Sequence, residues 1–135
     1  MPLFKADLGQ LSRIRKFVTK TAMALGVAPT ALDDLRLAVD EAVTNIVMHG
    51  YGGSGEITVD LSAEGGDLIV CLCDKARPFD AASAAADEIA PPDARTAPGG
   101  FGLYLMKQAM DDIAHRPLHP GNELTMMKRN VVDDG

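Results

Sequence analysis

Three short stretches of this chain carry side chains whose types and spacing could do chemistry. The first is Glu41-Ala42-Val43-Thr44-Asn45. On a helix, Glu41 and Asn45 stand one turn apart and about 40° from each other around the axis. Both point roughly opposite the apolar stripe of that helix, yet Leu37, Ala38 and Met48 share their side. A carboxylate and an amide among apolar neighbours suit a cavity wall. The carboxylate could serve as a base, and the amide oxygen could bind a hard cation such as Mg²⁺. The plainer alternative is a pair of exposed polar residues.

The second stretch is Gly99-Gly100-Phe101-Gly102-Leu103 at a helix start. Glycines let backbone N–H groups approach a ligand, and a helix N-terminus favours phosphate. A flexible helix cap is the competing reading. The third is Asp74, at the end of the apolar run Leu68–Cys73 and followed by Lys75-Ala76-Arg77-Pro78-Phe79-Asp80. Its carboxylate could accept a hydrogen bond from an exocyclic amine such as that of adenine. A lone Asp at a strand end also forms turns.

The elements that must position these groups are readable from periodicity. Leu8, Leu11, Ile14, Val18, Ala22 and Leu25 recur at helical spacing, with Gly26 able to close the helix. A second helix is expected from an N-cap at Thr30, with Asp33 three positions on, to about His49 and Gly50. Its core stripe is Leu32, Leu35, Val39, Ala42, Val43 and Ile46. Ile57, Val59 and Leu61 alternate with polar residues as in a half-buried strand. Glu64-Gly65-Gly66-Asp67 then turns the chain into a continuous apolar strand, Leu68 to Cys73. Residues 81–98, rich in Ala, Asp and Pro, read as a mobile segment, followed by a helix to about Asp112. Ile113–Leu118 and Leu124–Lys128 form a closing hairpin around Pro120-Gly121-Asn122. That order of elements predicts an α+β fold with helices layered on a mainly antiparallel sheet.

Composition narrows the function. The 135 residues suit one domain, and 47% hydrophobic residues supply one core. A net charge of -6 opposes broad nucleic-acid binding, which needs clustered Lys and Arg. No stretch approaches the roughly 20 apolar residues of a membrane span, and the N-terminus becomes charged too early for a secretory signal, so a cytoplasmic location is expected. Cys71 and Cys73 would be strained as a disulfide, and one CxC alone makes a poor metal site. They read as small core residues in a reducing compartment.

Taken together, the motifs resemble a known family. Glu41-Ala42-Val43-Thr44-Asn45, continuing to His49-Gly50-Tyr51, looks like the N-box of the GHKL ATPase superfamily, in the form carried by anti-sigma-factor serine kinases of bacterial partner-switching systems. Asp74 to Asp80 is similar to the first glycine box. Gly99 to Leu103, followed by Met110-Asp111-Asp112, is similar to the second. The resemblance runs from about residue 8 to 130. It implies a single Bergerat-type two-layer sandwich on a mainly antiparallel mixed sheet, with an ATP lid at about 81–98.

By this resemblance Asn45 would coordinate the Mg²⁺ that bridges the ATP phosphates, and Glu41 would be the general base toward a serine hydroxyl. Asp74 would recognise the adenine amine, with Ala76 in the same loop. Gly100, Gly102 and Leu103 would meet the phosphates, Thr125 on the last strand would lie near adenine, and His49 would lie near the phosphates or close the helix. The implied partners are a sigma factor and a STAS-type antagonist, which the kinase phosphorylates, and a second copy of the chain in a homodimer. No direct nucleic acid or membrane partner is implied. One position departs from the pattern: Ala76 stands where the first glycine box has Gly, and its methyl group restricts close backbone approach. That departure favours a competing reading, a weakly ATP-binding module that only sequesters its partner. A histidine kinase catalytic domain working in trans ranks behind both, since 135 residues leave no room for a helical dimerisation segment with a phosphorylatable His.

Overall fold

The computed structural model describes residues 3–47, 55–75, 102–118 and 121–132. A five-stranded sheet forms one layer, in the order β1-β2-β3-β5-β4. The strands are β1 (Leu3–Lys5), β2 (Glu56–Glu64), β3 (Asp67–Asp74), β4 (Asp112–Leu118) and β5 (Gly121–Lys128). Every described pairing is antiparallel, in keeping with the mainly antiparallel sheet expected. Helices α1 (Leu11–Ala24), α2 (Pro29–Ile46) and α3 (Gly102–Ala109) form the second layer. The core lies between the layers and is built from Ile14, Leu35, Val39, Ile57, Leu68, Leu72, Met106 and Met126 with their neighbours.

The ends of the helices show which local signals prevail. After α1, Gly26 adopts φ 90°, with its N–H on Met23 O at 3.1 Å and the Val27 N–H on Ala22 O at 3.0 Å. This is the left-handed stop expected of Gly26, with both bonds of a Schellman motif. Leu8 falls outside the helical stripe. It sits in a 3-10 turn capped by Asp7 and is exposed. Helix α2 begins one residue before the expected cap. Ala28 is extended at the N-cap and Pro29 takes the first helical position, where its missing N–H costs nothing. The expected end near His49 lies outside the described residues.

Strand β3 alternates rather than being buried on both faces. Leu68, Val70, Leu72 and Asp74 turn toward the helices, while Ile69, Cys71 and Cys73 are half-buried on the outer face. The cysteines are therefore not core residues. Helix α3 ends at Ala109, and Asp112 already belongs to β4. The expected lid, 81–98, lies outside the described residues.

Lys128 closes the end of the sandwich away from Asp74. Its side chain is only 16% exposed, and Nζ donates to Ala109 O at 2.6 Å while pairing with Asp34 at 3.2 Å. One cation thus joins β5 to the C-terminal end of α3, where the helix dipole favours it, and to the first turns of α2. Lys128→Met keeps the stem but removes the charge. It should lower stability by about 1–2 kcal/mol in urea unfolding.

Candidate functional site

Among the described residues the buried polar or charged side chains are Asn45 at 7% exposure, Asp74 at 6% and Asn122 at 6%. Each comes from a different element, and each is turned into the interface between sheet and helices. Burying polar groups costs free energy unless they are paired, so each of the three needs a reason.

Asn45 lies on the buried side of α2 with Ala38 and Ala42, not opposite the core as the helical wheel placed it. The reason is that α2 packs against both α1 and α3 and shares one buried core with the sheet. Its Nδ2 is fully buried and has no hydrogen-bond partner among the described residues. An unpaired buried amide costs about 1–3 kcal/mol, a cost that a ligand in contact with it would remove. Glu41, one turn earlier, is half-buried. Burial first, and the negative charge of Asp40 second, push its carboxyl above the ordinary glutamate value. Asp40 is itself held by the Arg15 guanidinium, whose Nε lies 2.9 Å from each carboxylate oxygen, and this pair ties α1 to α2.

Asp74 ends β3 on the helix-facing side. The Asn122 amide donates from Nδ2 to Asp74 Oδ1 at 3.0 Å. Asn122 Oδ1 in turn lies 2.8 Å from His115 Nε2, so with this amide orientation Nε2–H is the donor. The carboxylate is thereby oriented by a chain of two neighbours, one on β5 and one on β4. A carboxylate accepts at about four lone-pair sites, more than the Asn122 bond alone uses.

Gly121 brings Asn122 into place. At φ +113° its backbone lies so close to β3 that an added Cβ would fall 1.9 Å from Asp74 O. Only glycine fits there. Gly121→Ala should cost about 3 kcal/mol from clash and backbone strain together. Urea unfolding would show the loss.

Thr125 requires a correction. The register pairs it with Cys71, and its Oγ1 lies 4.0 Å from Cys71 Sγ, on the outer face. Asp74 faces the helices, so Thr125 cannot share its ligand. The β5 residue that reaches Asp74 is Asn122. Gly102 is the first residue of α3 and Leu103 the second, at the helix N-terminus as expected. His49, Ala76 and Gly100 lie outside the described residues. A cavity of about 620 Å³ lies away from these groups, over the outer side of α1, with Arg15, Lys16, Lys20 and Arg36 in its walls.

Asn122, Gly121 and His115 were not singled out from the sequence as site residues. The available signal was a polar residue in step with Leu124 and Met126 on an otherwise apolar strand face.

Residues 4–128 match the family model for the histidine kinase-like ATPase domain. The serine-protein kinase RsbW of Bacillus licheniformis is 32% identical over 133 residues, covering 90% of this chain and 81% of that protein. RsbW of Listeria monocytogenes is 35% identical over 114 residues, covering 79% and 69%. The chain belongs to the RsbW family of serine-protein kinases. This RsbW-family chain is thus a protein serine kinase on an ATPase-type domain, and ATP is its nucleotide. Solved structures agree on the fold. The RsbU and RsbW domains of a Mycobacterium tuberculosis protein superpose with a TM-score of 0.61 at 16% identity, covering 96% of this chain and 32% of that one. The catalytic domain of histidine kinase ThkA gives 0.61 at 12% identity, covering 96% and 97%. The RsbW-family fold therefore carries Asn45, Asp74 and Asn122 as its buried polar set among the described residues.

Proposed function

We propose that the chain is an ATP-dependent serine kinase and anti-sigma factor of a bacterial partner-switching system, acting on a serine of a STAS-type antagonist. The observation that carries this reading is the buried polar set, above all Asn45 with its unpaired amide nitrogen, on a domain of the RsbW family.

The roles follow from chemistry. Asp74, held by Asn122, would accept the adenine amine. Backbone N–H groups at the start of α3, at Gly102 and Leu103, would meet the phosphates, together with Gly100. A hard cation takes oxygen donors and keeps waters and phosphate oxygens as its other ligands, so one amide oxygen from Asn45 suits Mg²⁺. When bound, the ion would offset phosphate charge. Glu41 would accept the serine proton as the serine oxygen bonds to the γ-phosphorus and the bond to the departing ADP oxygen breaks. A carboxyl raised by burial is a stronger base than an exposed one, which suits that task. Most of the remaining rate would come from holding the two substrates in line.

We assign the sigma factor and the STAS-type protein as partners, with a second copy of the chain in a homodimer, in the cytoplasm. No helix among the described residues is long and apolar enough to cross a membrane. The test is incubation with γ-labelled ATP, Mg²⁺ and a STAS-type protein carrying an acceptor serine. Label on that serine supports the kinase. Tight partner binding without any label would favour the sequestering module, to which Ala76 points.

A further inference from the structure

We propose that Cys71, Cys73 and Glu123 form a binding site for a thiophilic divalent cation, with zinc as its natural occupant, on the outer face of the sheet. The three residues come from the register of two adjacent strands. Cys73 pairs with Glu123 and Cys71 with Thr125, all on the face turned away from the helices. Both cysteines are free, with Sγ atoms 3.9 Å apart. A Glu123 carboxylate oxygen joins them, all three ligand atoms lying within 4.8 Å of one another.

The sulfur spacing points to a metal rather than a disulfide. A disulfide needs about 2.05 Å between the sulfurs, with Cβ geometry that two residues on one side of a strand do not offer. Two thiolates bound at about 2.3 Å with a tetrahedral angle between them stand about 3.8 Å apart. The observed 3.9 Å therefore needs almost no movement. Glu123 must close by at most about an ångström to reach the 2.0–2.2 Å of a zinc–oxygen bond, within the freedom of its side chain. Three protein ligands leave a fourth position for water.

The surroundings support the site. Arg116, itself 69% exposed, lies 3.1 Å from Glu123 Oε2 and orients that carboxylate beside the sulfurs. A cavity of about 260 Å³ with Glu56, Thr58, Cys73, Asp74 and Leu118 in its walls opens beside Cys73. A bound cation would clamp β3 to β5 one residue before Asp74.

The test is cobalt titration of the reduced full chain, followed by zinc competition. One cobalt per chain should bind, with the near-ultraviolet thiolate-to-cobalt absorption, and zinc should displace it. Cys71→Ser and Cys73→Ser should each abolish that absorption. Glu123→Gln should weaken cobalt binding about 10-fold or more while leaving the absorption. Zinc should also slow maleimide labelling of both thiols in the unaltered chain, a readout that needs no variant to fold. Absence of thiolate absorption, its survival undiminished in Cys71→Ser or Cys73→Ser, or unchanged affinity in Glu123→Gln would overturn the site. Cys71→Ser lies outside the nucleotide machinery and should keep its ATP affinity, so failure here is separable from failure of the kinase reading.

Discussion

Glu41→Gln should lower the rate of phosphoryl transfer to the acceptor serine by about 10²–10⁴-fold, the usual worth of a positioned general base. ATP affinity should change little, because the amide fills the same space and the nucleotide is held by other groups. The pH dependence makes the test specific. In the wild-type chain the rate should rise with pH through the Glu41 carboxyl, whose pKa lies above the ordinary 4.5 because of burial and then Asp40. In Glu41→Gln that limb should disappear. A rate within threefold of wild type at every pH would remove Glu41 from the chemistry.

The same shift has a consequence for stability, with a definite sign. A carboxyl whose folded pKa is raised binds its proton more tightly when folded. The native state therefore holds more protons than the unfolded one between 4.5 and the raised value, and stability falls as pH rises across that window. Glu41→Gln should melt at or above the wild-type temperature at neutral pH, and the difference should vanish below pH 4.5. Loss of activity with gain of stability marks a group kept for function.

Asp74→Asn should weaken ATP binding by about 10–100-fold, the worth of a hydrogen bond to a charged group, about 1.5–3 kcal/mol. The change also sets one amide against another at Asn122, whose Nδ2 now donates to the carboxylate at 3.0 Å. If Asn122 turns over to compensate, it presents Nδ2 to His115 in place of Oδ1, and the imidazole must then switch tautomer for Nε2 to accept. A lower melting temperature is therefore expected alongside the weaker binding. Base selectivity separates the two effects. Guanine carries a carbonyl where adenine carries its amine, so the wild-type chain should prefer ATP to GTP, and Asp74→Asn should lose much of that preference. A variant that loses stability but keeps the full preference would leave Asp74 a purely structural role.

Much of this architecture is legible before any coordinates. The stripes of α1 and α2, the stop at Gly26 and the hairpin at Gly65-Gly66 follow from periodicity and turn chemistry, because each is a local property. The strand β1 was missed, since three residues with a half-buried Phe4 between two exposed neighbours give too short a pattern. Asn45 was seen as a candidate but placed on the wrong side. A helical wheel knows one stripe, whereas α2 packs against two other helices and shares one buried core with the sheet. The second half of the Asp74 site was hidden by its own turn signal. Pro120-Gly121-Asn122 reads as a loop, yet Gly121 and Asn122 are the first residues of β5. Thr125 failed for a related reason. Which face a strand residue occupies depends on register, and a slip of one residue reverses it. The metal candidate arises from the same cause, since Glu123 is 50 positions from Cys73 and only pairing brings them together.

The most direct test of a shared site is a calorimetric ATP titration of the full chain with Mg²⁺ and with chelator, repeated on Asn45→Ala. The expected result is ATP binding that Mg²⁺ strengthens at least 10-fold in the wild-type chain and that loses this dependence in the variant. Absence of ATP binding by the wild-type chain, or an unchanged Mg²⁺ effect in Asn45→Ala, would contradict the assignment of Asn45 and of the site built around it.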